Sequence, residues 1–434
     1  MHSLSQDANV TLSIWHQWIE LSTLHRISIS CYILESQQAT LLAREPTPSL
    51  FQGSGDDLPF PAHTSVWDAS NLDDWATAAR QQCSSPQYVF EVSPGTTRLS
   101  CDTFQSSILI AAHYNRFNVV TPYMSTPIVE EIDQVIDESF ATQQKLLTAK
   151  LLQVTPIRAL LAVSGESWIL SEKVPSPETY ATLRTTLRTW VTQIWCATSS
   201  TAEHVSIKKA IRLSIQILQL ALNTPSEIPT IDLGVDMGLY YAAIVLWAAT
   251  AAAYTRENLL QRGTGGRQTP RRNRSQPPGF ISNHSSASHV PASTQLPTSV
   301  TSYPTLPSSP LQSDAMSLAQ SQPASPSSHD SLATATMLSH DQIALNSMTF
   351  LSVVLRLVAT QSKSFHIPDL AGLQAGCVSM LLWAKLQLRG ASLDDQTSAG
   401  GWTNISVKGH GELLDSAIGS LERLLNRGWS DWGV

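Results

Sequence analysis

Residues 165–169 read Gly-Glu-Ser-Trp-Ile and put a serine at the centre of a segment that could suggest a nucleophile elbow. An elbow needs glycine at its fifth position and a strand-to-helix turn that exposes the serine hydroxyl. Here the fifth residue is Ile169 and no strand pattern surrounds it, so catalysis by Ser167 is not supported. The glycine-rich residues 263–266 likewise lack the Gly-Lys-Ser/Thr ending of a phosphate-binding loop and follow no strand.

Metal chemistry needs His, Cys or carboxylate side chains at spacings that bring them to one point. The 5 cysteines form no Cys-x-x-Cys pair, and the 12 histidines match no zinc-ligand spacing. The acidic pairs at 56–57, 73–74 and 394–395 are typical of solvated turns or helix N-caps. We therefore predict no catalytic, cofactor-binding or metal-ligating residue in this chain. The enzymatic alternative is a pocket between helices around Glu166 and His113.

Composition narrows the class of protein further. The chain has 434 residues, of which 14% are charged and 42% hydrophobic, and its formal net charge is −7. This length is enough for two or three domains, and the acidic balance disfavours a stand-alone surface for nucleic-acid phosphates. Widely spaced cysteines in odd number, and an N-terminus without a secretory pattern, indicate reduced thiols in a nuclear or cytosolic compartment.

A change in composition divides the chain. Residues 261–340 are dominated by Ser, Pro, Thr and Gln, with almost no aromatic residues and no apolar period. Such a segment buries too little apolar surface to offset the entropy of ordering it, so we predict a disordered linker. A helical body over 1–260 precedes it, and a helical part over 341–434 follows and is expected to pack on the first. The basic run in the linker, either incidental charge or a nuclear-localisation patch, is Arg267, Arg271, Arg272 and Arg274.

Apolar residues recur at helical spacing in both bodies. The stripes fall within residues 180–194, 207–222, 345–358, 373–388 and 413–425. The third stripe consists of Leu345, Met348, Leu351, Leu355 and Val358. The short strand-like run at 87–92 is isolated and no hairpin turn accompanies it. The sequence predicts an all-α fold, a multi-helix orthogonal or solenoid-like bundle with a long disordered Ser/Pro-rich insertion.

Two helices are apolar over most of their circumference. One covers residues 15–42, and because such a helix packs on several sides we expect it to be central in the fold. The other covers residues 237–254, which carry no charge and reach the lower length limit for a membrane span. Its small residues favour a buried helix, with a membrane-anchored protein as the alternative. Alanine substitution of Trp18 or Trp247 is expected to cost about 3–5 kcal/mol if both side chains are in the core.

The clearest motif opens the first of these helices. Residues 15–43 contain two tryptophans three positions apart, then an acidic residue, a basic residue and an apolar run ending in an acidic residue: Trp15, Trp18, Glu20, Arg26 and Glu35. Residues 58–75 follow with Leu-Pro-Phe-Pro and then Trp67, Asp68, Ala69 and Trp75. Both segments resemble the opening of the fungal-specific transcription factor domain, the middle homology region of fungal zinc-finger regulators.

Three later segments are similar to the branch of this family whose members carry two-Cys two-His zinc fingers. They lie at residues 160–168, 243–248 and 427–433. The resemblance covers nearly all of the chain outside the linker. It is incomplete at the basic run before the apolar helix, which is reduced to Leu24-His25-Arg26, and at the preceding acidic position, where Ser22 stands. An interaction made by those charges is expected to be weaker here.

The resemblance implies a regulatory domain that acts in RNA polymerase II transcription regulation in the nucleus, without enzymatic activity. The family's zinc-binding cysteines and histidines have no counterparts in this sequence, so zinc and DNA contact are expected in a module outside it. The chain is then either the C-terminal part of a longer regulator or a stand-alone regulatory paralogue. Its expected partners are proteins of the transcription machinery or a small effector, with DNA reached through the separate module, no cofactor in this chain and no membrane.

Overall fold

The computed structural model describes residues 2–41, 58–82, 86–93, 101–114, 132–165, 176–195, 206–224, 233–265, 339–359, 370–389 and 412–429. The α-helices are α1 (His2–Leu41), α2 (Thr64–Trp67), α3 (Leu72–Gln81), α4 (Thr103–His113), α5 (Phe140–Gln153), α6 (Ile157–Ser164), α7 (Pro177–Thr192), α8 (Ser206–Asn223), α9 (Leu233–Gly265), α10 (His340–Ala359), α11 (Gln374–Arg389) and α12 (Glu412–Arg427). No strand occurs in these ranges, and the predicted all-α fold is confirmed. The strand-like run at 87–92 instead forms a 3-10 turn, Val89–Glu91, beside an isolated bridge between Pro59 and Tyr88.

The helices on the two sides of residues 266–338 belong to one compact unit, which comprises residues 1–263 and 328–434. Helix α10 packs on α8 and α11, and α11 packs on α12, which reaches α6. Hydrogen bonds join the same parts: Arg212 donates to the carbonyl of Val358 over 3.3 Å, and the Ser420 hydroxyl donates to that of Ser164 over 3.4 Å. The C-terminal helices and the preceding body therefore share a core.

The expected start of the linker at residue 261 is wrong, because α9 continues to Gly265. Residues 255–262 read Thr-Arg-Glu-Asn-Leu-Leu-Gln-Arg, and most of these residue types propagate a helix well without burial. The remainder of the predicted disordered segment, from 266 to 338, lies outside the described residues.

Helix α9 is the central element of the larger apolar core. Tyr240, Tyr241 and Trp247 are among the most completely buried large side chains. By length and composition α9 and α10 could each cross a membrane, but 94% of the apolar window of α9 is buried within the protein, against 33% for α10. Residues 237–254 are thus covered by neighbouring helices, as predicted for a buried helix.

Close packing against α9 requires a glycine at one point. A Cβ atom at Gly238 would come within 2.2 Å of Oγ1 of Thr148 in α5. The absence of a side chain there lets the two helix backbones approach each other. Thr148 itself is hydrogen-bonded to the carbonyl of Gln144 over 2.8 Å, so its hydroxyl is satisfied inside the core.

Helices α5 and α6 meet at 92° across residues 154–156. Pro156 precedes the first residue of α6, where its missing N–H costs no helical hydrogen bond. The carbonyl of Val154 lies at the break and accepts hydrogen bonds from Nε1 of Trp190 over 3.1 Å and from the Ser206 hydroxyl over 2.6 Å. The bend is therefore stabilised by side chains of the next two helices, and it places α5 and α6 nearly at right angles.

The apolar stripe predicted for α10 was placed partly on the wrong face. Leu345 and Met348 are exposed, at 57% and 40%. The buried face consists of Ile343, Ser347, Phe350, Leu351, Val354 and Val358. The Ser347 hydroxyl donates to the carbonyl of Ile343 over 2.7 Å, and this local bond lets a polar side chain lie in the core.

The expectation that the first long helix is central in the fold is also wrong. Helix α1 begins earlier than predicted, at His2, and packs mainly through one face, on α4. Ile29, Ile33 and Ala39 are buried on that face. The opposite face is apolar but exposed, because tertiary packing within the described chain covers one side of the helix only.

Candidate functional site

The residues considered for catalysis are not brought together within the described ranges. Ser167 and Glu166 lie outside those ranges, and so do the acidic pairs at 56–57 and 394–395 and the basic run of the linker. His113 is the last residue of α4, and its ring lies 4.9 Å from that of Phe90 in an edge-to-face contact. The pocket expected around Glu166 and His113 therefore gains no support from the geometry of His113.

The acidic pair at 73–74 lies in the first turn of α3. Asn71, the residue before the helix, is its N-cap. The Asn71 side-chain oxygen accepts a hydrogen bond from the backbone N–H of Asp74 over 2.9 Å. The two carboxylates sit where the positive end of the helix dipole favours negative charge. In the described part of the chain, no group of three His, Cys, Asp or Glu side chains is positioned to hold a metal ion.

Two described cysteines are buried thiols. Burial raises the pKa of Cys101 to about 12, with the charge of Asp102 adding to the shift. Burial also raises the pKa of Cys377 to about 12, opposed by the hydroxyl of Thr250. Because the thiolate is the nucleophilic form, neither side chain is activated for chemistry at neutral pH.

A well-defined polar site joins α1 to α2 and α4. It consists of Arg26, Trp67, Asp102 and Phe104, and we call these four residues the Arg26 junction. The guanidinium carbon of Arg26 lies 4.5 Å from the ring centroid of Trp67 and 4.8 Å from that of Phe104. Its Nη2 atom donates to the carbonyl of Ala62 over 3.2 Å. One cation thus contacts two aromatic faces and a backbone acceptor.

The charge of Arg26 is partly desolvated and is balanced by nearby carboxylates. Burial lowers the pKa of Arg26, and the negative charges of Asp102 and Asp68 oppose that shift. A guanidinium remains protonated in proteins, so the site keeps a positive charge between two rings. Partial loss of water strengthens such cation–π contacts relative to a fully exposed pair.

Asp102 connects the first turns of two helices. Its Oδ1 accepts from the backbone N–H of Gln105 over 2.7 Å, and its Oδ2 accepts from the backbone N–H and hydroxyl of Thr64 over 2.5 and 2.6 Å. The Gln105 side chain completes a capping box at the start of α4 and also donates to the carbonyl of Pro61 over 2.8 Å. Asp102 was not predicted, although Asp-x-x-Gln before an apolar helix is a recognisable capping signal.

A second aromatic contact is made by Trp18, which precedes Arg26 on α1. The rings of Trp18 and Trp75 are 5.6 Å apart with planes tilted by 57°. Both side chains are partly exposed, so Trp18 does not meet the condition of core burial on which the expected cost of about 3–5 kcal/mol for Trp18→Ala depended. Tilted aromatic pairs at this separation stabilise a contact beyond their burial alone.

The described parts of the three later segments are at helix ends and in the core. Residues 160–164 are buried in α6, and Gly165 ends that helix with φ of 98°. Arg423 of α12 donates to the Gly165 carbonyl over 3.4 Å. Residues 243–248 are buried in the middle of α9. Gly428, with φ of 73°, ends α12, and Trp429 packs against the larger core.

The polar groups of the Arg26 junction are engaged in contacts within the protein. Its carboxylate already accepts three hydrogen bonds, and its cation is held by two rings and a carbonyl. Such an arrangement fixes the angle between helices and presents partly exposed tryptophan to solvent. Neither a known family model, nor a characterised protein, nor a solved structure matches this chain. The protein is all-α, and aromatic and cation–π contacts hold its helix α1 against α2, α3 and α4.

Proposed function

We propose that this chain is a regulatory domain of the fungal transcription factor type. It acts in RNA polymerase II transcription regulation in the nucleus, and a zinc-finger module outside this sequence supplies DNA binding. The observation that carries the proposal is that the residues behind the sequence resemblance contact one another. Trp18 meets Trp75, and Arg26 meets Trp67, at ring distances of 5.6 and 4.5 Å.

These contacts support reading the two N-terminal segments as parts of one motif. Each contact joins a residue of segment 15–43 to a residue of segment 58–75, and each pairs the residue types that were used to recognise the resemblance. Two chance similarities would give no reason for their marker residues to meet in space. Tryptophan and arginine are also the residue types enriched among those that contribute most to protein–protein binding.

The proposed mode of action is non-covalent. A helical body of this kind influences a DNA-bound module through contacts with proteins of the transcription machinery or with a small effector. The net charge of −7 repels nucleic-acid phosphates, which is consistent with DNA contact through another module. Among the described residues, no comparable contact favours the enzymatic or the membrane-anchored alternative.

A tethering experiment tests the proposal. The full chain is fused to an unrelated DNA-binding module and placed upstream of an RNA polymerase II reporter in a fungal host. We expect reporter output to change severalfold, in either direction, relative to the DNA-binding module alone. An unchanged output from a fusion that accumulates intact in the nucleus would contradict the proposal.

A matched pair of variants tests whether the Arg26 junction takes part. Arg26→Gln removes the cation of the junction, whereas Arg256→Gln removes a similar cation that lies 4.8 Å from the ring of Trp195. We expect Arg26→Gln to reduce the reporter effect more than Arg256→Gln at equal protein level. Equal effects would show that regulation does not depend on the junction.

A further inference from the structure

Helix α1 has two apolar faces, and the described chain covers one of them. Ile29, Ile33 and Ala39 are buried against the body. On the far side Leu21, Leu24, Ile27 and Leu34 are 54%, 63%, 55% and 55% exposed, and the Cys31 thiol is exposed beside them. We define the outer stripe as Leu21, Leu24, Ile27, Cys31 and Leu34. Large apolar side chains that lie in one line and are exposed among the described residues are typical of an interaction surface.

The spacing of the outer stripe is that of a coiled-coil seam. Leu24, Ile27, Cys31 and Leu34 follow one another at intervals of three, four and three residues, which are the a and d positions of a heptad. In the same register Ile29 falls at position f, on the opposite side of the helix, where the body of the protein is attached. The described part of the body therefore leaves the seam open from Leu24 to Leu34.

We propose that a second copy of this chain covers the outer stripe, with two α1 helices packed side by side in a symmetric dimer. An occupant of this face must itself present apolar side chains at heptad spacing, and α1 of another copy does so. A symmetric dimer uses the same patch on both subunits. The proposed dimer does not depend on the role in transcription.

The residues beside the seam favour self-association. Positions e and g carry Thr23, Ser28, Ser30 and Gln37, which are uncharged, as well as Leu21 of the stripe itself. Two identical copies therefore meet with little like-charge repulsion, whereas a strongly charged partner would find no complementary row. Glu35 is the one charged residue at these e and g positions, and its Oε1 atom is shielded from solvent. Glu20, at the d position before Leu24, is exposed and ends the apolar seam on its N-terminal side.

The size of the outer stripe predicts a weak dimer. The outer stripe from Leu21 to Leu34 is about 20 Å long at a rise of about 1.5 Å per residue. One helix width then gives a few hundred square ångströms on each copy, below the roughly 800 Å² per partner of a standard interface. We expect a dissociation constant in the micromolar range.

Sedimentation of the purified full chain tests the proposal. Between about 1 and about 100 µM, a range that brackets a micromolar dissociation constant, the average mass is expected to rise from one chain toward two. The double variant Leu24→Glu with Leu34→Glu is expected to weaken association at least about tenfold, because it places like charges in the seam. Helix content by circular dichroism is expected to stay unchanged, since both side chains are exposed in the monomer.

A control variant and a second readout separate the seam from general stickiness. Leu345→Glu removes a leucine that is 57% exposed on α10 and is expected to leave dimerisation intact. Alkylation of Cys31 by iodoacetamide, followed by mass spectrometry, is expected to slow as protein concentration rises through the dimer range. A monomer at all concentrations, or equal weakening by Leu345→Glu, overturns the proposal. Capture of a monomer by phosphatidylcholine vesicles, lost in the double variant, overturns it in favour of a lipid surface.

Discussion

At the scale of single residues, Arg26 shows how one side chain connects three parts of the chain. It belongs to α1, stacks on Trp67 of α2 and Phe104 of α4, and donates to the carbonyl of Ala62. The expectation that an interaction made by the charges near this position is weaker here stays a prediction. The structure gives Arg26 two rings, a carbonyl and nearby carboxylates as neighbours.

Arg26→Gln is expected to lower the free energy of unfolding by about 1–2 kcal/mol. It removes two cation–π contacts and weakens one hydrogen bond at a partly desolvated site. Urea unfolding followed by circular dichroism measures the change. Arg26→Lys keeps the charge but loses the planar stacking surface, so it should recover part of the loss. A loss below the error of the measurement for Arg26→Gln would show that the junction contributes no net stability.

Trp247 and Trp18 are expected to differ strongly on replacement by alanine. Trp247 is 1% exposed in the middle of α9, so Trp247→Ala should cost about 3–5 kcal/mol through lost burial and a cavity. Trp18 is partly exposed and packs on one ring, so Trp18→Ala should cost about 1–2 kcal/mol. The difference between the two melting transitions is the test. Equal losses would contradict the burial assigned to these side chains.

At the scale of helices, the end of α6 depends on a glycine. Gly165 adopts φ of 98°, and its backbone N–H returns to the carbonyls of Ala162 and Leu161. An added Cβ would also lie 3.1 Å from Nε of Arg423. The position thus combines a left-handed backbone with close contact to α12.

Gly165→Ala and Gly419→Ala are expected to change stability in opposite directions. Gly165→Ala should destabilise the protein by about 1–2 kcal/mol, because alanine is strained in the left-handed region. Gly419 lies within α12, where an added Cβ would make an ordinary contact of 3.7 Å with Arg423, so alanine should stabilise that helix by about 0.5–1 kcal/mol. Thermal unfolding of the two variants compares them. A shift of the same sign in both would refute the assigned helix end.

Helix existence was predictable from sequence, but the orientation of the helices was not. The period of three and four residues is local, and it located α8, α11 and α12 correctly. On α10 apolar residues occur on both faces, so periodicity selected Leu345 and Met348, which are exposed. The structure buries Ser347 on the inner face of α10 instead. This is possible because its hydroxyl is hydrogen-bonded within the same helix.

At the scale of the whole molecule, the loss of stability in acid depends on ion pairs between α11 and α12. Glu422 of α12 lies 2.7 Å from Lys385 and 2.6 Å from Arg389, both on α11. Burial alone would raise the pKa of Glu422. The hydrogen bond and charge of Lys385, with the charges of Arg389 and Arg423, outweigh it and hold the pKa below its ordinary value of 4.5.

A lowered pKa in the folded state means that the Glu422 carboxylate stabilises the protein above pH 4.5, its ordinary pKa. That contribution is lost as the pH falls from 4.5 through the lower folded-state value. Because the side chain is 37% exposed, we expect no more than about 1 kcal/mol. Glu422→Gln should lower stability at neutral pH and flatten its decline in acid, and Lys385→Met should act in the same direction. The test is the free energy of unfolding measured across this pH range. If its slope against pH is the same in Glu422→Gln as in the unchanged protein, Glu422 does not contribute to the loss of stability in acid.

The chain is expected to bind DNA weakly on its own. Its net charge of −7 leaves little electrostatic attraction for phosphates, so affinity should be no better than the non-specific level of about 10⁻⁴ M at physiological salt. Fluorescence anisotropy of a labelled duplex, titrated at several salt concentrations, measures this. A nanomolar affinity that falls steeply with salt would contradict the assignment of DNA contact to a separate module.

The sequence by itself determined the all-α class and the positions of most helices, and it favoured burial of residues 237–254 over a membrane span. These properties follow from composition and from spacing along one chain, which are local. Tertiary structure alone decided that Trp18 meets Trp75, that Arg26 stacks on Trp67 and Phe104, and that the described residues leave one apolar face of α1 uncovered. Those outcomes depend on which distant part of the chain packs against each helix. The spacing of residues along one helix does not specify that contact.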